Sequence, residues 1–147
     1  MTSSPPPETL DPRARFERMR TVKPSDVDAL GHVNNAVWVQ FVVELATAHS
    51  DAVGMDWRTV RQLGGQWIVR RHEIDYHRSA LPDQSILEQT WVESLRGARS
   101  VRCSRFSDAD GAAFVTARTQ WAFVRPDDFR PTRVPAELGA AFGFTIG

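Results

Sequence analysis

The chain has 147 residues with 18 basic and 18 acidic side chains, a balance that lacks the net basic face of a general nucleic-acid or membrane-surface binder. That length fits one domain burying about two-thirds of the surface its unfolded chain exposes. Its single cysteine, Cys103, excludes an intrachain disulfide and a cysteine-based metal cage, fits a reducing cytoplasm, and reads as a small core residue.

Residues 1–12, MTSSPPPETLDP, have neither the basic start nor the apolar centre of a signal peptide. No run of about 18 apolar residues follows, so a soluble, cytoplasmic protein is expected. The same stretch offers too little apolar surface to offset the entropy of ordering. It is expected to be a disordered tail before a single domain over 13–147.

Residues 15–23 alternate Phe16, Arg18 and Arg20 with Glu17, Met19 and Thr21, which predicts a partly exposed strand ended by Pro24. A polar loop over 25–34 leads into a helix predicted over 35–53, stopped by Gly54. Its apolar residues, from Val37 to Ala46, cover nearly the whole circumference, and Gln40, Glu44, Thr47 and Asp51 make one narrow polar stripe. That pattern predicts a buried helix wrapped by other elements.

A short helical turn at 57–62 and the pair Gly64-Gly65 precede a strand over 66–77. Leu81-Pro82-Asp83 marks a turn. Strands follow over 85–95, 99–107 and 113–124, separated by Gly97 and by the turn Asp108-Ala109-Asp110-Gly111. Short links between strands imply antiparallel hairpins. Prolines 126, 131 and 135 then lead to a short helix over 136–142 that packs on the sheet edge. The order implies an α+β architecture: a strongly curved antiparallel sheet of about five strands around one long helix. Such a sheet leaves an edge open, and a homodimer is the economical way to cover it.

There is no Gly-x-Ser-x-Gly elbow, no Gly-x-Gly-x-x-Gly loop and no phosphate-loop lysine, so those hydrolase and nucleotide-binding readings lack their parts. His72 and His77 stand an odd number apart on one strand and point to opposite faces, and neither Asp26 nor Asp28 has a second histidine at ligand spacing. Neither a metal nor a cofactor is expected.

What remains is the segment Asp26-Val27-Asp28-Ala29-Leu30-Gly31-His32-Val33-Asn34-Asn35. An asparagine at its end suits a helix N-cap, and a helix N-terminus stabilises negative charge. A substrate oxygen that becomes negative during reaction can sit there while Asp28 or His32 works beside it.

With the run from Ala36 to Glu44, this segment resembles the signature of hot-dog-fold acyl-thioester hydrolases, the 4-hydroxybenzoyl-CoA thioesterase-like group. It is also similar to the second half of plant acyl-carrier-protein thioesterases, and the tail Arg-Pro-Thr-Arg-Val-Pro-Ala-Glu-Leu is similar to the first group. The resemblance is sharp over about 20 residues and looser, through element order, over 16–138. It implies a hot-dog fold, an acyl-CoA or acyl-carrier-protein thioester as substrate, and a homodimer or homotetramer with active sites at the subunit interface.

It also implies residue roles. The second aspartate of the pair, Asp28, is the catalytic carboxylate, attacking the thioester carbonyl directly or activating water. The backbone N–H at or near Asn35 grips the oxyanion. In the plant pattern a catalytic asparagine stands two residues after the aspartate; here that position is Leu30. His32 is left to orient water, bind the thioester or brace the loop. Asn34 reads as the cap, and at the helix start it is also a candidate for binding substrate; Asp26 reads as a turn-forming carboxylate.

Glu44 lies nine residues beyond Asn35, about 13 Å along the helix axis, too far to share the site; it is expected to pair with an arginine. Arg70, Arg71, Arg96, Arg99 and Arg102 are candidate partners for coenzyme A or carrier phosphates. Trp38, Trp67, Tyr76 and Trp91 are candidates for lining an acyl pocket. Two further functions fit the same fold: an acyl-thioester hydratase or dehydratase, and a non-catalytic acyl-thioester-binding protein.

Overall fold

Five strands form one antiparallel sheet in the computed structural model, which describes residues 11–146. They are β1 (Phe16–Thr21), β2 (Gln66–Tyr76), β3 (Ser85–Arg96), β4 (Arg99–Ser107) and β5 (Ala113–Val124), in the spatial order β1-β3-β4-β5-β2. The tail expected over 1–12 lies outside the described residues except for Asp11 and Pro12. These two open a turn in which the Ala14 N–H donates to the Asp11 carbonyl at 2.9 Å.

The polar strand β1 sits at one edge, as its alternation of charged residues predicts. Hairpins join β3 to β4 and β4 to β5. The short link between β2 and β3 is not a hairpin: β2 pairs with β5, and β3 with β1. Residues 77–84 instead cross between the two sides of the sheet. Ala80 anchors that crossing, fully buried in the core, with its carbonyl accepting the Val33 N–H at 2.9 Å. Register shifts at Val69/Arg71 and Val92/Ser94 add the local twist that lets the sheet curve.

Helix α1 (Asn35–Ala52) crosses the concave face, with Asn34 at its N-cap. Its near-continuous apolar surface predicted a helix wrapped on all sides, but within one chain only Trp38, Phe41, Val42, Leu45, Ala46 and His49 are buried. Val37, Val39 and Val43 stay half-exposed, while Gln40, Glu44 and Thr47 face out. A single sheet covers one side of a helix, and covering the other requires something more.

The core has two parts. Trp38, Phe41, Phe106 and Phe114 pack under the first half of α1, with Trp38 edge-on to Phe41 and Phe106 at centroid distances of 5.5 and 5.4 Å. Val60 of α2 (Trp57–Gln62), Phe123, and Leu138 and Phe142 around α3 (Ala136–Ala141) form the second at the far end of the sheet. Between the two lies a polar belt of His49, Thr90, Ser100, Arg102 and Ser104, all buried. Cys103 faces the other way: alternation along β4 puts it half-buried on the convex side, not in the core. Burial pushes its thiol up, further from a reactive thiolate. Among the described residues no helix is long and apolar enough to cross a membrane.

Candidate active site

The loop before α1 is closed on itself by main-chain bonds. The Asp28 N–H donates to the His32 carbonyl at 3.1 Å, the Gly31 N–H to the Asp28 carbonyl at 3.0 Å, and Val27 bridges Val33. Gly31 turns the chain with φ of 87°, a conformation that favours glycine. The Asn34 N–H then bonds the Asp26 carbonyl at 3.1 Å, so the neck of this tight loop runs straight into the helix start.

Asp28, half-buried at the loop tip, has one oxygen accepting from the Leu30 N–H at 2.9 Å. Its other oxygen faces the Asn34 side-chain amide at 3.5 Å. Asn34 also caps α1, its Oδ1 accepting the Ala36 N–H at 2.8 Å, so one side chain ties the carboxylate to the helix N-terminus. The Asn34 carbonyl takes the N–H groups of Val37 and Trp38 at 2.9 and 3.3 Å. The Asn35 N–H has no acceptor among the described residues. A free donor at the positive end of an 18-residue helix, beside a carboxylate, is the arrangement that carbonyl chemistry needs.

Tyr76, at the end of β2, donates its hydroxyl to the Asn35 carbonyl at 3.1 Å and ties the helix start to the sheet's outer strand. His32 is half-exposed on the same loop, and the exposed Leu30 stands beside it. Asp26 is the turn-former its position predicts, its carboxylate accepting the Lys23 N–H at 2.9 Å. Glu44 finds its arginine, Arg20, at 2.7 Å.

The structure thus brings together Asp28, His32, Asn34 and Asn35. Trp38 is 1% exposed inside the core, with no surface free to touch a ligand from the loop. Arg70 and Arg71 are exposed on β2, Arg71 paired to Glu73 at 2.9 Å. Arg99 lies opposite Ala122, which in turn faces Ile68, at the end of the sheet away from Tyr76. His72 and His77 bond Thr119 and Thr116, on opposite faces, and the described residues hold no cluster of three metal-ligating side chains.

A cavity of about 440 Å³ opens elsewhere, between the second half of α1, α2, Phe142 and the concave face of the sheet. Its α1 lining starts at Val43, eight residues and about 12 Å past Asn35, so within one chain it does not reach Asp28. Arg102, one of the arginines expected to meet carrier phosphates, lines this cavity instead: its alternation with Ser100, Ser104 and Phe106 on β4 turns it inward, where it is buried and bonds His49, a residue that no motif singles out. His49 stays neutral: Arg102 can only donate, so Nδ1 accepts at 2.8 Å and Nε2–H donates to the Pro12 carbonyl. Burial first, then the neighbouring guanidinium, lower His49 to about 4.

A long helix laid across a five-stranded antiparallel sheet is the hot-dog fold. The chain belongs to the thioesterase-like superfamily, whose profile matches residues 22–142. That membership supports thioester hydrolysis as the reaction class.

Solved structures agree on the fold. An acyl-ACP thioesterase from Bacteroides thetaiotaomicron superposes with a TM-score of 0.75 at 22% identity, over 82% of this chain and 49% of its own. A 1,4-dihydroxy-2-naphthoyl-CoA thioesterase from Synechocystis gives 0.80 at 15% identity, over 87% of this chain and 95% of its own. A Staphylococcus aureus protein solved in complex with CoA gives 0.81 at 12%, over 86% and 80%. This chain therefore spans about half the length of the Bacteroides protein. No curated protein matches the sequence.

Proposed function

We propose that the protein hydrolyses an acyl-CoA or acyl-carrier-protein thioester to free acid and thiol, with Asp28 as nucleophile or general base. The observation that supports this best is the free Asn35 N–H at the head of α1, beside the Asp28 carboxylate that Asn34 ties to the same cap. In hydrolysis the thioester oxygen gains charge as the carbonyl carbon becomes tetrahedral, and a fixed N–H at a helix start stabilises that charge without reorganising. The thiolate leaves without needing a strong acid. His32 stands on the same loop to hold or orient water.

The working unit is a homo-oligomer, with a dimer as its basic unit. Among the described residues the outer edge of β2 is unpaired, and the half-exposed valines of α1 lie on the side that its own sheet does not cover. Antiparallel pairing of two β2 edges about their midpoint, near Arg71, sets Gln66 of one copy opposite Tyr76 of the other. Because Tyr76 is bonded to the helix start, the partner's Asp28 loop then comes beside Gln66 and Trp67, close to Arg70 and Arg99 of the first copy. Those arginines become the groups available to coenzyme A or carrier phosphates. A single free thiol suits a reducing, cytoplasmic setting.

Release of free thiol from a panel of acyl-CoA and acyl-carrier thioesters tests the reading, with the products identified by mass. Free acid and thiol in equal amounts are expected. Enoyl or hydroxyacyl thioesters with no free thiol would instead assign a hydratase or dehydratase, and binding without turnover a non-catalytic acyl-thioester-binding role.

A further inference from the structure

Along β4, alternation sends Ser100, Arg102 and Ser104 to the concave face. The small Ser100 beside the arginine leaves the sheet unfilled beneath the second half of α1, and the cavity of about 440 Å³ occupies that space. It is roughly fifteen water volumes, well within the size of small-ligand pockets. Val43, Ala46, Val60, Val92, Leu95 and Trp67 make most of its wall apolar.

Arg102 enters this apolar chamber as a buried cation, 5% exposed. Its Nη1 donates to His49 Nδ1 at 2.8 Å and to Thr90 Oγ1 at 3.1 Å. Both partners are neutral. Nε and Nη2 have no hydrogen-bond partner, and no carboxylate comes within 4.0 Å of the guanidinium, among the described residues. Asp51 and Arg61 also line the chamber, one acidic and one basic. Trp121, another lining residue, has an indole N–H that is buried without a partner. A buried charge without its counter-charge is costly, and buried donors without acceptors are rare. Burial has already pulled Arg102 down to about 10. The element lacking at Arg102 among the described residues is an anion with acceptor oxygens, carried on an apolar stem that fits the chamber wall.

We propose that this chamber is the acyl pocket and that Arg102 selects thioesters whose acyl chain ends in a carboxylate. This rests on the thioesterase reading and names the substrate class within it. Gln66 and Trp67 line the chamber and belong to β2, the strand whose open edge receives a second copy. A chain whose carbonyl lies at the partner's Asp28 can therefore run past Gln66 into the chamber and bring its far end to Arg102. The guanidinium fork binds a carboxylate with two parallel N–H donors, a match that a methyl end cannot use.

Matched acyl-CoA pairs of equal length, hexanoyl against adipoyl and octanoyl against suberoyl, test the assignment by thiol release. The natural protein should favour the carboxylate-ended member in kcat/KM, and R102M should lower that ratio by roughly ten- to a hundredfold. R102K, which keeps the charge without the fork, should restore part of it. A natural protein that hydrolyses the methyl-ended member as well or better overturns the proposal, whether or not R102M folds. Binding gives a readout independent of turnover: free hexanoate and its neutral counterpart 1-hexanol titrated against tryptophan fluorescence, with Trp57, Trp67 and Trp121 on the chamber wall. Tighter binding of hexanoate, lost in R102M, supports the assignment even if no thioester is cleaved, in which case the hydrolase reading alone fails. Equal binding of the acid and the alcohol overturns it.

Discussion

His49 gives the fold a pH dependence whose size can be worked from its surroundings. Nδ1 accepts from Arg102 and Nε2–H is committed to the Pro12 carbonyl, so a second ring proton would have to displace the guanidinium and place two cations together. The folded ring titrates at about 4, against an ordinary value of 6.5. Between those values the unfolded chain binds a proton that the folded chain refuses, so stability rises with pH and is lost as pH falls from 6.5 toward about 4. Linkage with these two values gives a loss of about 2 kcal/mol between about pH 7 and about pH 5.

H49Q is the matched comparison. Glutamine can accept from Arg102 through its oxygen and donate through its amide, but does not titrate. Urea unfolding of both proteins at the two pH values isolates the effect, because His72, also lowered by burial, and every carboxylate are common to both. The natural protein should lose about 2 kcal/mol more than H49Q. Equal losses would refute the neutral, arginine-bonded histidine.

Three other substitutions probe different parts of the structure. Glu88 is fully buried, with Oε1 2.9 Å from Arg18 Nε and 3.1 Å from Arg20 Nε; E88Q leaves Arg18 without its counter-charge and Arg20 with Glu44 alone, and should cost about 3 kcal/mol in denaturant unfolding. A Cβ at Gly65 would lie 2.3 Å from Phe123 Cζ, so G65A should lower stability by about 1–3 kcal/mol, read as a fall in Tm. N34A removes the α1 cap and the amide facing Asp28. It should cost about 1 kcal/mol in denaturant unfolding and lower kcat for thioester hydrolysis more than it raises KM.

Local chemistry made much of this molecule readable. Asn34 at a helix start, Gly54 past its end, and the clean alternation of 113–124 each state a backbone preference that the fold keeps. The Asp28 loop was legible for the same reason, since the bonds that close it and hold Asp28 fall within residues 23–36, with only the Ala80 carbonyl and the Tyr76 hydroxyl reaching it from afar. Non-local pairing was less so. The link over 77–84 is short enough for a hairpin, yet it crosses the sheet, with Ala80 buried and its carbonyl bonded to Val33, a contact between distant residues that no local pattern states.

The His49–Arg102 pair joins residues 53 apart in the chain, on a helix and a strand that carry no shared motif. An arginine is mostly found in solvent, so its burial is visible only when the strand's facing residues are known. The same holds for Cys103, whose size suits a core while its place in the alternation turns it outward.

The central claim is that Asp28, held at the head of α1, does the chemistry on the thioester. Single-turnover and steady-state thiol release by D28N tests it most directly, because an amide at this position can still accept the Leu30 N–H and keep the loop closed. The account predicts a natural circular dichroism spectrum and Tm, with hydrolysis reduced by roughly a hundred- to ten-thousandfold. A folded D28N protein that releases thiol within a few-fold of the natural rate would contradict it.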